Sequence, residues 1–489
     1  MKYIFAVLLF IAAGAYAGGN DPESGDSPDP RVRPAAAPQQ GVPAWRATSL
    51  QRRSSRWGIL SELGIINPSL IDPYNQNPLK GDFPLFGRRT FMVFTGVLAP
   101  KALFNTQENI ETQFNNDVVT SLEFFRGTTV FEPKKWSVKG TGKAIFNNGN
   151  GNDIQDIAFL ELFGELKLFN VGSNFDFTST RNGIQFFKTD FNAFIFQDFN
   201  LGYQLFGELG KNRFQWATAF VDLRVKENGL LTFNPLGQDV YFANLFWEDF
   251  LKDGFNTVFS FHYNRDRIAP EAKLDAFYAG FASAGHWGRW VLTPAFYYAF
   301  GTDETSSAPQ NISAFFTGIE IAYPVNFLNY RMATFFTSGD SDPADSTAGG
   351  FASINEAINL FGAGNSFLIG GNAFTKPNSF IPSNQGVSAF VNPGILFFNA
   401  GLDVFFTPKL FFTGNANYAQ FVNTSSLEAT DAKDIGFEVN AAINYRLFLN
   451  ENFIIQIGAN AFFPEQAGID ILGSDQAVIT SNVAMQLVF

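Results

Sequence analysis

The sequence predicts an all-β fold, a transmembrane antiparallel up-and-down β-barrel of about 18 strands, with about 16 as the alternative count. Three observations point there. Apolar and polar residues alternate with period two along most of the chain beyond residue 88. The polar members of that alternation are mainly Asn, Gln, Ser, Thr and Gly, as a wet lumen requires. The connections between the alternating stretches are short and long by turns. A soluble sandwich also alternates, but its polar face looks to bulk water and is rich in Lys and Glu. After the N-terminal apolar stretch no run is long and apolar enough for a helical span.

Composition narrows the function classes. The 489 residues carry 33 basic and 45 acidic side chains, net charge -12, which argues against a nucleic-acid partner. Cys is absent, which removes disulfides, thiol catalysis and thiolate metal sites together. Phe occurs 61 times and carries the apolar burden of a chain whose mean hydropathy is zero.

Taken in chain order, residues 1–17 read as a secretory signal: Lys2 is the basic start, Tyr3 to Ala13 the apolar stretch, and Ala15-Tyr16-Ala17 the cleavage pattern. Residues 18–87 read as a periplasmic leader, first disordered because Pro, Asp, Gly and Ser cannot bury enough surface, then partly ordered. Arg46, Arg52, Arg53 and Arg56 share a segment with Trp45, Trp57, Ile59 and Leu60. That segment fits either a solvated linker or a basic amphipathic helix docking on a membrane or a periplasmic partner. Asp72 to Asn77, followed by Lys80-Gly81-Asp82, reads as a compact loop that caps the barrel mouth or joins leader to barrel. The barrel is expected over residues 88–489.

The last eleven residues alternate strictly, with Ile479, Ser481, Val483, Met485, Leu487 and Phe489 on one face. This end resembles the terminal strand of bacterial outer-membrane barrels, whose assembly machinery recognises it. The resemblance implies a Gram-negative outer membrane, with lipid and lipopolysaccharide around the wall. Residues 434–447, 453–463 and 255–264 alternate in the same way. Short periplasmic turns are expected at 449–452, 407–409, 323–326, 286–288, 252–254 and 210–212, with longer outer connections near 464–474, 422–433, 340–388, 301–310, 265–273 and 225–237. Joining Asn192 to Leu209 into one strand makes the count even.

Asp434-Ile435-Gly436-Phe437-Glu438, followed one hairpin later by Phe462-Phe463-Pro464, resembles the strand start and strand end of the alginate-export family of outer-membrane barrels. Arg181, Gly183 and Gln185 resemble that family's "Gly-Arg-Gln" pore segment, although Ile184 stands where the segment has Arg and Asn440 replaces an acid. The likeness spans roughly residues 390–489 and, in part, 157–224. It implies a barrel and, as an alternative function, polysaccharide export within an envelope complex.

Alternation assigns the lumen-facing groups. Lys139 and Lys143 share a face opposite Trp136, Val138, Ala144 and Phe146, while Glu161, Glu165 and Lys167 oppose Leu160, Leu162, Leu166 and Leu168. Adjacent strands would let the two Lys pair with Glu161 and Glu165, as a structural ladder or a cargo-sorting constriction. Asp176, Arg181, Arg213, His262, Glu320, Arg331, Glu438 and Arg446 are the other inward candidates, mixed in sign.

From Asp340 onward thirteen acids face only Lys376, Lys409, Lys433 and Arg446, a net of 4 - 13 = -9, which disfavours a polyanion. The stretch 338–388 is long enough for a lid or an inward constriction, and Ser353 with Glu356 forms a capping-box pattern before Ala357 to Phe361. Asp340, Asp342 and Asp345 are weak calcium candidates, more simply read as solvated. His262 and His286 are the only His, too few for a catalytic or transition-metal constellation, so neither chemistry nor a cofactor is expected. The function expected is passive diffusion of small polar solutes, sugars among them. Besides export, the Phe excess suggests a hydrophobic-solute transporter, which requires inward Phe such as Phe159 and Phe163 to form a continuous path.

Overall fold

The computed structural model describes residues 77, 79–81, 84–85, 89–105, 111–127, 133–148, 154–172, 176–211, 213–227, 230–269, 272–305, 309–355, 368, 388–447 and 452–489. The expected signal, the basic segment 46–56, the loop residues 72–76 and the helix expected over 356–361 lie outside the described residues.

Nineteen strands join in one sheet that closes on itself. They are β1 (Thr90–Asn105), β2 (Glu111–Arg126), β3 (Trp136–Asn148), β4 (Ile154–Asn170), β5 (Phe177–Lys188), β6 (Gln197–Leu209), β7 (Phe214–Glu227), β8 (Leu230–Trp247), β9 (Phe255–Ala269) and β10 (Ala272–Trp287). Then follow β11 (Trp290–Asp303), β12 (Gln310–Val325), β13 (Leu328–Thr337), β14 (Thr347–Ala348), β15 (Ile395–Phe405), β16 (Leu410–Phe421), β17 (Asp434–Arg446), β18 (Phe453–Pro464) and β19 (Val478–Val488). The two-residue β14 lies parallel to β12, at Asn311 and Ile312. The other eighteen are the wall, each antiparallel to its neighbours, with β13 passing directly to β15 and β19 closing on β1. The chain is therefore a closed antiparallel barrel of 18 strands.

An even strand number leaves both barrel termini at one end, called here the terminal end; the opposite one is the loop end. The seam is tied by paired backbone bonds, Gly96 N–H to Phe489 O at 3.0 Å and Phe489 N–H to Gly96 O at 2.8 Å. Lys80 clamps it: its ammonium donates to Phe94 O at 2.8 Å and lies 4.4 Å from the centre of the Phe489 ring.

Alternation explains the wall. On β17 Glu438 and Asn440 are buried inward, while Phe437, Val439 and Ile443 are exposed on the outer face. Bulges break the rule at defined places. On β4 the register shifts opposite Thr141 and Gly142, so that Glu161 and Phe159 are their partners and Leu160 is the extra residue. On β17 the shift falls at Ile435, which is buried, with Gly436 at φ 151° beside it. A Cβ on Gly436 would come within 2.5 Å of Phe463 O, so only Gly fits. The two sequence motifs prove to be cross-strand neighbours, Gly436 facing Pro464 and Glu438 facing Phe462.

Three expectations need correction. The polar stretches 225–237 and 265–273 are not long loops: β7 and β8 are joined by residues 228–229, and β9 and β10 by 270–271. Their charges sit on the wall itself, as in the ion pairs Arg265–Asp239 and Arg267–Asp275, because a strand ladder can continue past the apolar band. Asn192 to Leu209 is not one strand. β6 starts at Gln197, and residues 189–196 fold inward instead. At the loop end, 465–477 contains α1 (Gln466–Leu472), closed by Gly473 at φ 70°.

Candidate functional site: the barrel lumen

The lumen has a polar sector and an apolar one. In the polar sector, over β1 to β5, period-two alternation aims Lys101, Asp117, Glu123, Lys139, Lys143 and Glu161 inward, all buried. Lys139 pairs with Glu161, which also accepts from Thr141 Oγ1 at 2.7 Å. Lys143 does not reach a Glu of β4. It pairs with Asp117 on β2, Nζ to Oδ2 2.6 Å. Glu165 is taken by Arg181, whose Nη2 and Nε donate to Oε2 at 2.7 and 3.0 Å. Register is the reason: Glu161 stands opposite Thr141 and Glu165 opposite Ser137, and the β4 bulge sets Lys143 opposite Ala158. It also turns Phe159 to the outer face, 51% exposed, while Phe163 stays inward under the Arg181 guanidinium.

The polar sector continues over β13 to β17 as a chain of amides and charges. Arg331 donates to Asp403 at 2.9 Å and to Asn415 at 3.0 Å. Asn415 donates to Asn440 at 2.9 Å, and Asn440 and Asn417 donate to Glu438 Oε1 at 2.9 and 2.7 Å. Glu438 Oε2 then accepts the backbone N–H of Leu368, inside the long connection between β14 and β15, at 2.7 Å. Charge-assisted bonds of this kind are the stronger ones in a dry setting.

The apolar sector is the inner face of β6 to β13. Tyr278, Tyr297, Phe316 and Phe335 line it, and two inward-folded segments cover it. Residues 189–196 bring Phe194, Ile195 and Phe196; the long connection brings Phe351, Leu368 and Phe390. The Phe194 and Phe316 ring centres are 4.5 Å apart, and Tyr278 Oη donates to Ala352 O at 2.9 Å. Within the first segment Asp190 accepts from the N–H groups of Asn192, Phe194 and Ile195, while Asn244 Nδ2 of β8 donates to Thr189 O at 2.9 Å. Burial pushes the Asp190 carboxyl up, against the pull of those N–H groups and of Lys188.

The remaining predicted groups are dispersed. His262 faces inward but is fully buried between the Phe242 and Tyr278 rings, and Glu320 is buried on β12. Arg446 faces inward near the terminal end, its guanidinium 5.0 Å from the Phe411 ring. Two candidates do not line the lumen. Asp176 binds the Gly210 and Lys211 N–H groups, both at 3.0 Å, capping a turn, and Arg213 is exposed in that same turn. The tight connection between β6 and β7 needs a carboxylate at its base and leaves its own side chains outside.

Asp340, Asp342 and Asp345 each accept from the N–H two residues on, of Asp342, Ala344 and Thr347. These are turn-forming carboxylates, and among the described residues no group of three or more metal-ligating side chains gathers. Sequence reasoning missed Lys101, Asp117, Asp403 and the amides Asn399, Asn415 and Asn417. Extending the alternation count to β1, β2, β15 and β16 would have found them.

No family's sequence profile matches the chain, and no curated protein matches it. Among solved structures the barrel is similar to OccK5 (OpdH) of Pseudomonas aeruginosa, at 12% identity and TM-score 0.51, over 81% of this chain and 98% of that chain. It is similar to OccK2 (OpdF) of the same organism in complex with glucuronate, at 10% identity and TM-score 0.50, over 81% of this chain and 96% of that one. OpdK of Pseudomonas aeruginosa with vanillate matches at 10% identity and TM-score 0.51, over 81% and 98%. At such identities the likeness is one of fold.

Proposed function

We propose that the chain is a porin-like channel of a Gram-negative outer membrane, passing small polar solutes by diffusion, sugars and small carboxylates among them, without chemistry. The observation that carries this reading is the continuous row of lumen amides and charges from Arg331 to Glu438, set beside an inward-folded constriction anchored on that row through Leu368. The wall's apolar outer face fits a bilayer, with the terminal end periplasmic. Glucuronate and vanillate, bound by the structurally similar channels, are solutes of the size and polarity such a path would take.

The alginate-export resemblance rests on a Gly–Pro strand contact and on Arg181, which is spent on Glu165. A polyanion needs cations with free valence, so export is the weaker reading. Hydrophobic-solute transport has one observation in its favour, the contiguous inward Phe and Tyr cluster, but Phe159 lies outside it.

Planar-bilayer recording of refolded protein, with liposome swelling in arabinose, glucuronate and an apolar dye, separates these readings. Discrete conductance with faster entry of the polar solutes is expected; a silent bilayer, or selective dye entry, rejects the proposal.

A further inference from the structure

We propose that the lumen face of β17 to β2 holds a binding subsite for a small hydroxylated monocarboxylate, a sugar acid, with Lys101 on the carboxylate and a trough of amides on the hydroxyls. This rests on the reading of the lumen as a diffusion path and names one solute class for it.

Charge selects the carboxylate. Lys101 is the only charged side chain in three consecutive strands, β18, β19 and β1. It is buried on the inner face, and no acid pairs with it among the described residues. Asp117 lies one register step along β2, on the same face, and is taken by Lys143. Two ammonium groups therefore share the neighbourhood of one carboxylate. The flanking acids Asp156 of β4 and Glu438 of β17 are each three strands from Lys101. At about 4.8 Å per strand that is roughly 14 Å, beyond the reach of a screened charge in a wet lumen.

Amides select the hydroxyls. Directly opposite Lys101 stand Asn115 on β2 and the small Ala484 on β19. One register step toward the loop end, Asn482 of β19 faces Gly458 of β18, which faces Ala442 of β17. These short residues floor a trough that runs from Lys101 across β19 and β18. Asn440 and Asn460 stand along its loop-end side, Asn444 and Gln456 along its terminal-end side, and Asn482 closes the end beside Lys101.

Most of these amides are spent on each other or on Glu438, as with Gln456 on Asn444 and Asn440 on Glu438. The unspent atoms gather at the Lys101 end: Asn115 Nδ2, Asn482 Nδ2 and Asn460 Oδ1 are buried and have no hydrogen-bond partner. Leaving such groups unpaired is costly, and a hydroxyl, which both donates and accepts, satisfies the last two while a carboxylate oxygen satisfies the first. The two registers that hold Lys101 and Asn482 carry no ring from β17 to β2, so an aromatic acid finds nothing there to stack on. One surplus ammonium matches one carboxylate; a dianion would leave its second charge uncompensated.

Saturation-transfer NMR of the folded full-length protein in detergent at low salt, with gluconate, glucose and benzoate in turn, tests the subsite whether or not the barrel conducts. Gluconate should bind, glucose and benzoate at least about tenfold more weakly, and Lys101→Met and Asn482→Leu should each weaken gluconate binding about tenfold. Heat-dependent gel mobility reports that each variant is folded. Equal gluconate binding by the native protein and both variants overturns the site. Glucose bound as tightly as gluconate overturns the part given to charge, and benzoate bound as tightly overturns the part given to the amides. In planar bilayers gluconate should interrupt the native current. A silent bilayer with gluconate binding intact rejects the diffusion path and supports the subsite, whereas conduction without gluconate binding overturns the subsite and leaves the channel standing.

Discussion

Glu438 of β17 accepts the backbone N–H of Leu368 at 2.7 Å, so a wall carboxylate holds a residue that lies 70 positions earlier in the chain. The contact joins the polar sector to the apolar constriction. It makes Glu438 a latch rather than a passive lining group, because the same carboxylate also receives Asn417 and Asn440.

Glu438→Gln preserves shape while removing the charge from these bonds, which costs about 1.5–3 kcal/mol for a charge-assisted hydrogen bond. Single-channel records of this variant should show larger or noisier conductance than the native protein. Records indistinguishable from native would show that the latch does not restrain the constriction.

Lys143→Glu should destabilise the barrel by roughly 3–5 kcal/mol, because it leaves two buried acids face to face where Lys143 and Asp117 now pair. The double exchange Asp117→Lys with Lys143→Glu should recover most of that loss. Urea unfolding followed by gel mobility measures both, and absence of recovery would contradict the pairing.

Lys101 is inward and buried on β1, and no acid pairs with it among the described residues. It is therefore the ammonium whose charge the lumen feels least compensated. Replacing it with Glu should move the reversal potential in a salt gradient toward cation selectivity, whereas an unmoved potential would place Lys101 off the conduction path.

Phe194→Ala removes the ring packed 4.5 Å from Phe316 and should cost the constriction about 3–5 kcal/mol of packing. Faster swelling of liposomes in polar solutes is expected. A gain confined to apolar dyes would favour the hydrophobic-solute reading instead.

Gly183→Ala should weaken the β4–β5 pairing, since Gly183 has φ 127° and an added Cβ would fall 2.3 Å from Leu162 O. A lowered thermal midpoint checks this, and a midpoint equal to native would mean that the backbone there relaxes freely.

The barrel was legible in the sequence because its cause is local. Lipid outside and water inside impose period two on each strand, and β17 and β19 carry that pattern without help from their neighbours. The even strand count expected from the sequence rests on joining Asn192 to Leu209, a step the structure does not bear out, because β6 begins at Gln197. Where local polarity was taken to end a strand, as at Arg265 and Arg267, it misled, because those side chains pair with Asp239 and Asp275 on the outer wall.

What the sequence by itself determined is the architecture and the face of most wall residues, since both depend on alternation within a strand. Only the tertiary structure decided the pairings and the constriction. One extra residue at Leu160 turned Phe159 outward and set Lys143 opposite Ala158, and the cross-strand register gave Lys143 to Asp117 and Glu165 to Arg181. The inward course of residues 189–196 and of Leu368 depends on surfaces supplied by distant strands, Asn244, Phe316 and Glu438 among them, and no local pattern encodes a contact made across a lumen.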